Sequence, residues 1–401
     1  MRVTNNQVFF RSLNGILNLQ ADVQKYQLQV ETGKRFQTAA DDPVGAAQVL
    51  DLGDRLGALK QFDRNANLAS LRLSEQESAI EGTQNTLQRV RELILGAKNR
   101  SMTTADRQFV AAEVSERLNE VLNLANKRNS SNEFIFAGTA ADTVPFTLDA
   151  AGAVVFNGNQ NVRELEIADG RTLGEGLSGA EVFMAIRNGN GTFVTNLGGA
   201  NTGTGRVIND NVTDLTAFTT DSFRVVFTAA NTYDVINDTS GTTVLSAQTY
   251  TDGTALAFNG LSIAITGAPA VGDTFLVAPS QNQSVFATIA KARQDMVVDL
   301  TTPARTARFS FNLDRALSDI DLAMNSLSSV RAQIGARQNA LDAQITNNTE
   351  ASLQLETVKS QIESVDMVEA ISHLARQTQV LEAAQQAFVR VQGLSLFNYL
   401  S

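Results

Sequence analysis

The sequence contains no cysteine, which removes disulfide frameworks, thiolate metal sites and cysteine nucleophiles and leaves the redox compartment open. Histidine occurs once, at position 373, so a Ser–His–acid triad would have to use that residue. No spacing suited to a set of metal ligands appears. Long hydrophobic runs are missing too. The start, MRVTNNQVFF, holds no apolar stretch that could form a signal-peptide core, and nowhere do roughly eighteen uncharged apolar residues stand together to cross a bilayer. The expectation is a soluble chain, or one that leaves the cell by another route, without membrane insertion. Basic charge is also short. The formal net charge is -10, which argues against nucleic acid as a partner, because phosphate affinity rests on clustered Lys and Arg.

What is present is length and pattern. A chain of 401 residues, 43% hydrophobic, can build a sizeable core and suggests two or three domains. Residues 142–283 hold fourteen acidic residues against five Arg and no Lys, a balance of -9, so nearly all the excess charge belongs to the middle, which reads as a separate exposed module. Residues 1–36 carry a local +3. A solvated helix face explains most of it; electrostatic complementarity with a neighbouring subunit is the minority reading, and it implies salt-sensitive assembly.

From Phe9 apolar residues recur in steps of three and four, through Ile16, Leu19, Val23, Tyr26 and Val30, with Ser12 the one break. Gly33 is a plausible helix stop, Asp42 an N-cap and Pro43 a first helical residue, whose missing N–H costs nothing there. Leu52, Leu59, Ala66, Leu73, Ile80, Leu87 and Ile94 then keep strict seven-residue spacing, suited to a coiled-coil rod. A third helix follows Thr103. The C-terminal part repeats the design with Leu313, Ile320, Leu327, Ile334, Leu341, Asn348, Leu355 and Ile362. Asn348 is either a buried residue that fixes register or a solvated interruption, and the pattern leaves both open. The last helix continues through Ile371, Leu374, Leu381 and Phe388, with a second stripe of Val380, Ala384, Ala387, Val391 and Leu394; two stripes imply more than one packing partner. Between the arms the period changes to two, as in Phe223, Val225 and Phe227 or Leu261, Ile263 and Ile265, with Gly, Asn, Asp and Thr between runs.

The fold class expected is therefore α+β and multidomain: a helical coiled-coil rod from both termini with an all-β sandwich or barrel-like domain inserted between them. The segments are an N-terminal assembly helix (1–42), the first half of the rod (43–139), the insert (140–284), the second half of the rod (285–365) and a C-terminal assembly helix (366–401). Ordering a backbone costs roughly 1–2 kcal/mol per residue, and a buried large apolar side chain returns about 1.5–3 kcal/mol. The apolar residues of the last helix cannot offset that alone. Both termini are expected to be poorly ordered in an isolated subunit and to fold against each other and against adjacent subunits. The assembly interface expected comprises Ile16, Leu19, Val23, Tyr26, Val30, Ile371, Leu374, Leu381, Phe388, Val391 and Leu394.

Three stretches resemble the flagellins and flagellar hook-associated proteins: ETGKRFQTAADDPVGAAQVL at 31–50, IFAGTAADTVPF at 135–146 and the final SLFNYLS. The likeness covers residues 1–146 and 285–401. The FxGT at 136–139 followed by Pro145 and Phe146 favours hook-filament junction members over flagellin. In the middle, DSFRVVF and FNGLSIAITGAPAVGDTFLVAPS resemble the β modules of hook-associated proteins, a weaker signal. The resemblance implies a structural subunit located extracellularly in the flagellum and exported unfolded, without signal cleavage, through the flagellar type III apparatus with an export chaperone. It further implies self-association in a ring or helical layer, with hook-associated protein 1 and flagellin as neighbours. Paired terminal helices would form the inner tube and the middle domain the outer surface.

Against catalysis, His373 sits on the last helix near Asp366 and Glu369, where a helix-surface or interface histidine is the stronger reading. Asp41 and Asp42 precede Pro43 and are read first as capping residues rather than as an acid–base pair. The Gly-rich run 197–206 lacks the strand–turn–helix context and the GK[ST] ending of a phosphate loop and is expected to be a flexible loop. No catalytic, cofactor or metal residue is assigned. Competing readings are flagellin itself, a secreted hydrolase carried in the insert and a coiled-coil export protein that stays in the cell.

Overall fold

The computed structural model describes residues 5–99 and 101–400, the side chains of 5, 6, 8 and 391–400 excepted. Helix α1 (Asn5–Thr32) stops where Gly33 enters the left-handed region at φ 68° and its N–H donates to the Gln29 carbonyl at 2.9 Å. Helix α2 (Pro43–Ala97) starts on Asp42, whose carboxylate accepts the Gly45 N–H at 2.9 Å. Helix α3 (Thr104–Ala125) opens on a capping box between Thr103 and Asp106.

The inserted region begins with two antiparallel hairpins, β1 (Phe146–Leu148) with β2 (Val154–Phe156) and β3 (Glu164–Ala168) with β4 (Arg171–Gly174). After a π-helical turn at Ala180–Met184, β5 (Ile186–Arg187) leads into the main module. This comprises β6 (Phe193–Leu197), β7 (Arg206–Val212), β8 (Phe223–Ala229), β9 (Thr232–Asn237), β10 (Thr242–Thr249), β11 (Ala255–Phe258), β12 (Leu261–Thr266) and β13 (Thr274–Pro279). The strands form two antiparallel sheets, ordered β10-β9-β8-β13-β6 and β11-β12-β7. The period-two residues face inward: Phe223, Val225 and Phe227 from one sheet and Leu261, Ile263 and Ile265 from the other share one core. On leaving, β14 (Asn282–Gln283) pairs with β5, so the chain enters and exits the module side by side. The Gly-rich run after β6 is pinned, contrary to the flexible loop expected. The buried Asp273 carboxylate accepts the N–H groups of Thr202, Gly203 and Ala270 at 2.8–3.0 Å, and Asn201 bonds Thr274.

Helix α4 (Val285–Met296), capped by Ser284, α5 (Pro303–Glu363) and α6 (Met367–Leu400) complete the chain. The chain divides into a terminal unit, residues 1–64 and 344–401, and a central unit, residues 65–343; α2 and α5 contribute to both. In the central unit the heptad positions Ala66, Leu73, Ile80, Leu87 and Ile94 of α2 and Leu313, Ile320, Leu327, Ile334 and Leu341 of α5 are all buried. Antiparallel cross-pairs accompany them: Arg91 with Asp321 at 2.7 Å and Arg331 with Glu77 at 3.4 Å. In the terminal unit Leu52, Leu59, Leu355 and Ile362 occupy the same seam half-buried. Asn348 resolves to the buried alternative, 2% exposed, and accepts a 2.8 Å hydrogen bond from Gln344.

Candidate assembly interface

The terminal unit is built on the pairing of α1 with α6. Phe9 lies 5.3 Å from Phe388, and Tyr26 stacks on His373 at 5.1 Å with ring planes 9° apart, so the two helices run antiparallel. Ile16, Leu19, Val23, Tyr26 and Val30 are half-buried along α1, joined by Leu13, and Leu374, Leu381 and Phe388 are half-buried along α6. Ile371 is not brought into that row: it is 51% exposed, on the flank of α6. The side chains of Val391 and Leu394 lie outside the described residues. None of the seam side chains reaches the full burial of the central unit.

A second stripe was expected on α6, Val380 among it, but a second apolar row on α1 was not foreseen. Phe10, Leu17 and Leu28 on α1 are 60%, 52% and 43% exposed, and at about 100° per residue they lie on the side of α1 turned away from α6. On α6, Val368, Ile371 and Val389 flank the seam on one side and Val380 on the other, all exposed. Spacings of seven and eleven residues along α1 were the available signal, masked by the polar residues between them. Exposed apolar side chains aligned on one helix face in this way suit a surface that another chain covers.

The break between α1 and α2 explains the GKR…ADDP segment. With Gly33 turned left-handed, Lys34 reaches Glu363 of α5 as an ion pair, and the Arg35 N–H donates to the Glu363 carbonyl at 2.7 Å. The Val365 N–H donates to the Gly33 carbonyl at 2.9 Å. Arg35 pairs with Asp42 at 2.9 Å, and the Gln29 side chain donates to the Arg35 carbonyl at 2.6 Å. Phe36 is buried under this lattice. Asp41 accepts the Thr38 and Gln37 N–H groups and the Thr38 hydroxyl, which hold its carboxyl below the usual carboxylate range. Asp41 and Asp42 are thus both consumed by turn and cap geometry. Of the acidic partners imagined for His373, Asp366 is consumed in capping α6 through the Val368 and Glu369 N–H groups at 2.9 and 3.2 Å, while Glu369 does stand 3.4 Å from His373, one turn away on the exposed face of the same helix.

In the central unit the FxGT…PF segment is a packing device. Phe136 meets Phe183 edge-on at 5.0 Å, and Phe146 meets Phe183 and Phe286 at 5.5 and 5.1 Å, all four buried. Gly138 has φ 68°, and a Cβ there would collide with the Asn159 carbonyl, so only glycine fits. Among the described residues there is no group of three or more His, Cys, Asp or Glu able to hold a metal, and no helix long and apolar enough to cross a membrane.

The bacterial flagellin N-terminal helical region matches residues 3–141 and the bacterial flagellin C-terminal helical region residues 317–400. The D2-like domain of flagellar hook-associated protein 1 matches residues 197–279. The crystal structure of Xanthomonas campestris FlgL is 33% identical at a TM-score of 0.69, over 77% of this chain and 99% of that one. This chain belongs to the flagellar hook-associated protein 3 (FlgL) family. The Legionella pneumophila hook-associated protein-3 is 28% identical at a TM-score of 0.73, over 78% of this chain and 98% of its own. Hook-associated protein 3 of Escherichia coli K12 is 23% identical over 398 residues, 99% of each chain. As an FlgL-family member the chain is a structural protein of the flagellar junction, located in the bacterial flagellum. Its helical ends and β-rich centre have the family's arrangement.

Proposed function

We propose that this chain forms the layer joining hook-associated protein 1 to the flagellin filament, that it acts by assembly and not as an enzyme, and that α1 and α6 carry the assembly contacts. The observation that carries the reading is the two-sided apolar surface of the α1–α6 pair: one row of each helix is half-buried against the other, and Phe10, Leu17, Leu28, Val368 and Val389 are left for neighbours. Such a surface suits head-to-tail contact between copies, which closes into a ring or continues as a helical layer. The contact residues are Ile16, Leu19, Val23, Tyr26, Val30, Ile371, Leu374, Leu381, Phe388, Val391 and Leu394, with Gly33, Asp42 and Pro43 setting the turn that presents them. Segments 1–42 and 366–401 act as assembly helices, ordered by their neighbours; 43–139 and 285–365 form the supporting helical frame, and the acidic insert at 140–284 faces outward. Passage through the flagellar type III apparatus, with a chaperone and without signal cleavage, accompanies this role.

Deleting the gene and imaging cells and medium by electron microscopy tests the reading. Hooks without filaments, with unpolymerised flagellin in the medium, are expected. Hooks that carry normal filaments would overturn it.

A further inference from the structure

Charge is unevenly spread within the inserted region. Residues 239–272 hold one charged side chain, Asp252, whereas the rest of 142–283 holds thirteen acidic residues and five Arg. Asp252 is engaged locally, where its carboxylate accepts the Gly267 N–H at 2.9 Å. The uncharged stretch supplies β10, β11 and β12. Of these, β10 is the outer strand of the five-stranded sheet and β11 the outer strand of the three-stranded one. Residues 250–254 join them, and the Tyr250 hydroxyl donates to the Gly267 carbonyl at 2.8 Å. Both outer strands therefore lie on one flank of the module.

The opposite flank is covered. Arg315 of α5 donates to the Thr195 carbonyl of β6 at 2.8 Å, the Asn190 side chain donates to the Asp210 carbonyl of β7 at 3.2 Å, and Phe311 of α5 enters the core that the two sheets share. Among the described residues no strand pairs with the outer edge of β10 or of β11. Thr243, Gln248, Thr249, Ala255 and Ala257 are exposed along them. Edge strands are commonly guarded by charge, and these two carry none. Two breaks of register and Ala247 at φ 52° spoil the ladder that β10 could offer to an added strand. What the flank presents is a neutral surface of hydroxyl, amide and methyl groups.

We propose that this flank is the face that one copy's insert turns to the acidic surface of the next copy's insert. Two modules of the same sign repel wherever their acidic surfaces come within about 8 Å, the screening length at physiological salt, and like charges set face to face reject that approach. A neutral flank against an acidic surface carries no such penalty. The two surfaces differ, so the contact is head-to-tail, the kind that continues around a ring or along a helical layer. The inference rests on the assembly reading above: α1 and α6 hold copies side by side, and the resulting local concentration lets a contact without charged or large apolar anchors form.

A photo-crosslinking amino acid in place of Gln248, compared with one in place of Phe10, tests this in flagella isolated from cells that carry the full chain. Irradiation is expected to join position 248 to residues 142–283 of a second copy, identified as a peptide pair from a product of twice the chain's mass. Adding Thr243→Glu/Ala257→Glu, with folding checked by circular dichroism, is expected to reduce that product at least about fivefold at ~0.01 M salt and to restore it at ~1 M, where the screening length falls from about 30 Å to about 3 Å. The same charge added at the β1–β2 turn, Ala150→Glu/Ala151→Glu, is expected to leave it unchanged.

Capture of flagellin, of hook-associated protein 1 or of no second chain from position 248, with a second copy still captured from position 10, would overturn the inference and leave the assembly reading standing. So would a folded glutamate variant that gives undiminished product at low salt. Capture of a second copy from neither position would remove both.

Discussion

The two units are made from the same kinds of residue and bury them to different depths. Among the described residues, the central unit encloses whole side chains from Leu73 and Ile80 to Phe227 and Phe275, whereas the buried hydrophobics of the terminal unit are Phe36, Leu56 and Ala370. The terminal unit holds its shape with caps and ion pairs at the 33–42 turn, and its helices meet through half-buried rows. The terminal unit leaves Phe10, Leu17, Val368 and Val389 in water while the central unit packs to completion, and on the proposed function its core is finished by other molecules. The difference also assigns roles to the family segments: FxGT…PF closes an internal aromatic core, and GKR…ADDP shapes a joint.

That contrast can be broken or sharpened by substitution. The largest effect is expected in the central unit. Phe227→Ala, which empties a fully buried site that contacts Tyr250 and Phe275 at 5.1 and 5.7 Å, should cost about 3–5 kcal/mol in urea unfolding. Leu59→Ala, in the half-buried seam, should cost less than about 1.5 kcal/mol in the same experiment; equal losses would erase the distinction between the units. For Leu381→Asp and Phe388→Asp the order reverses. Both should leave the insert folded by circular dichroism and abolish assembly, because each puts an unpaired charge into an apolar row that the assembled state desolvates. Normal filaments from either variant would remove α6 from the interface.

Smaller effects separate the two glycine positions. Gly138→Ala forces a Cβ into the Asn159 carbonyl as well as a left-handed backbone, while Gly33→Ala meets open space at the same φ of 68°. The first should cost about 2–3 kcal/mol and the second about 1 kcal/mol by thermal melting.

The smallest expected effect is a pH dependence of opposite sign at buried and at exposed carboxylates, followed at Asp210 and Asp295 in the central unit and at Asp41 in the terminal one. Asp41, in the terminal turn, has its carboxyl held low by the Thr38 and Gln37 N–H groups, so its contribution is present above the unfolded value and lost as pH falls through the folded one. Burial of Asp210 and of Asp295 in the central unit raises their carboxyls, against the Thr195 hydroxyl and Arg315 for the first and Asn312 for the second. Their contribution is complete below the unfolded carboxylate value and lost as pH rises through the raised one. Asp210→Asn should therefore raise the melting temperature more at pH 7 than at pH 4, and Asp41→Asn should lower it more at pH 7 than at pH 4.

Much of the helical frame was legible because one signal repeats: Leu73, Ile80 and Leu87 on α2 and Ile320, Leu327 and Ile334 on α5 each restate the same seven-residue period. The inward faces of β8 and β12 were legible from alternation. Strand order was not, since pairing β13 between β8 and β6 depends on contacts between residues far apart in sequence. Nor was the network in which Arg72 pairs with both Glu133 and Glu175, 61 and 103 positions away. In the candidate interface, the row facing α6 was found through its steps of three and four, while Phe10, Leu17 and Leu28 escaped because irregular spacing on an exposed face resembles surface composition. Asn348 showed its position in the heptad but not its burial, which depends on what packs around it.

The central claim, that the terminal unit completes its core only with neighbours, is tested most directly by limited proteolysis of the dilute full chain followed by mass spectrometry. The account predicts rapid cleavage within 1–64 and 344–401, at sites such as Arg11, Lys25 and Arg376, with the central unit surviving as a resistant fragment. Termini that persist as long as the central unit in a dilute monomer would contradict it.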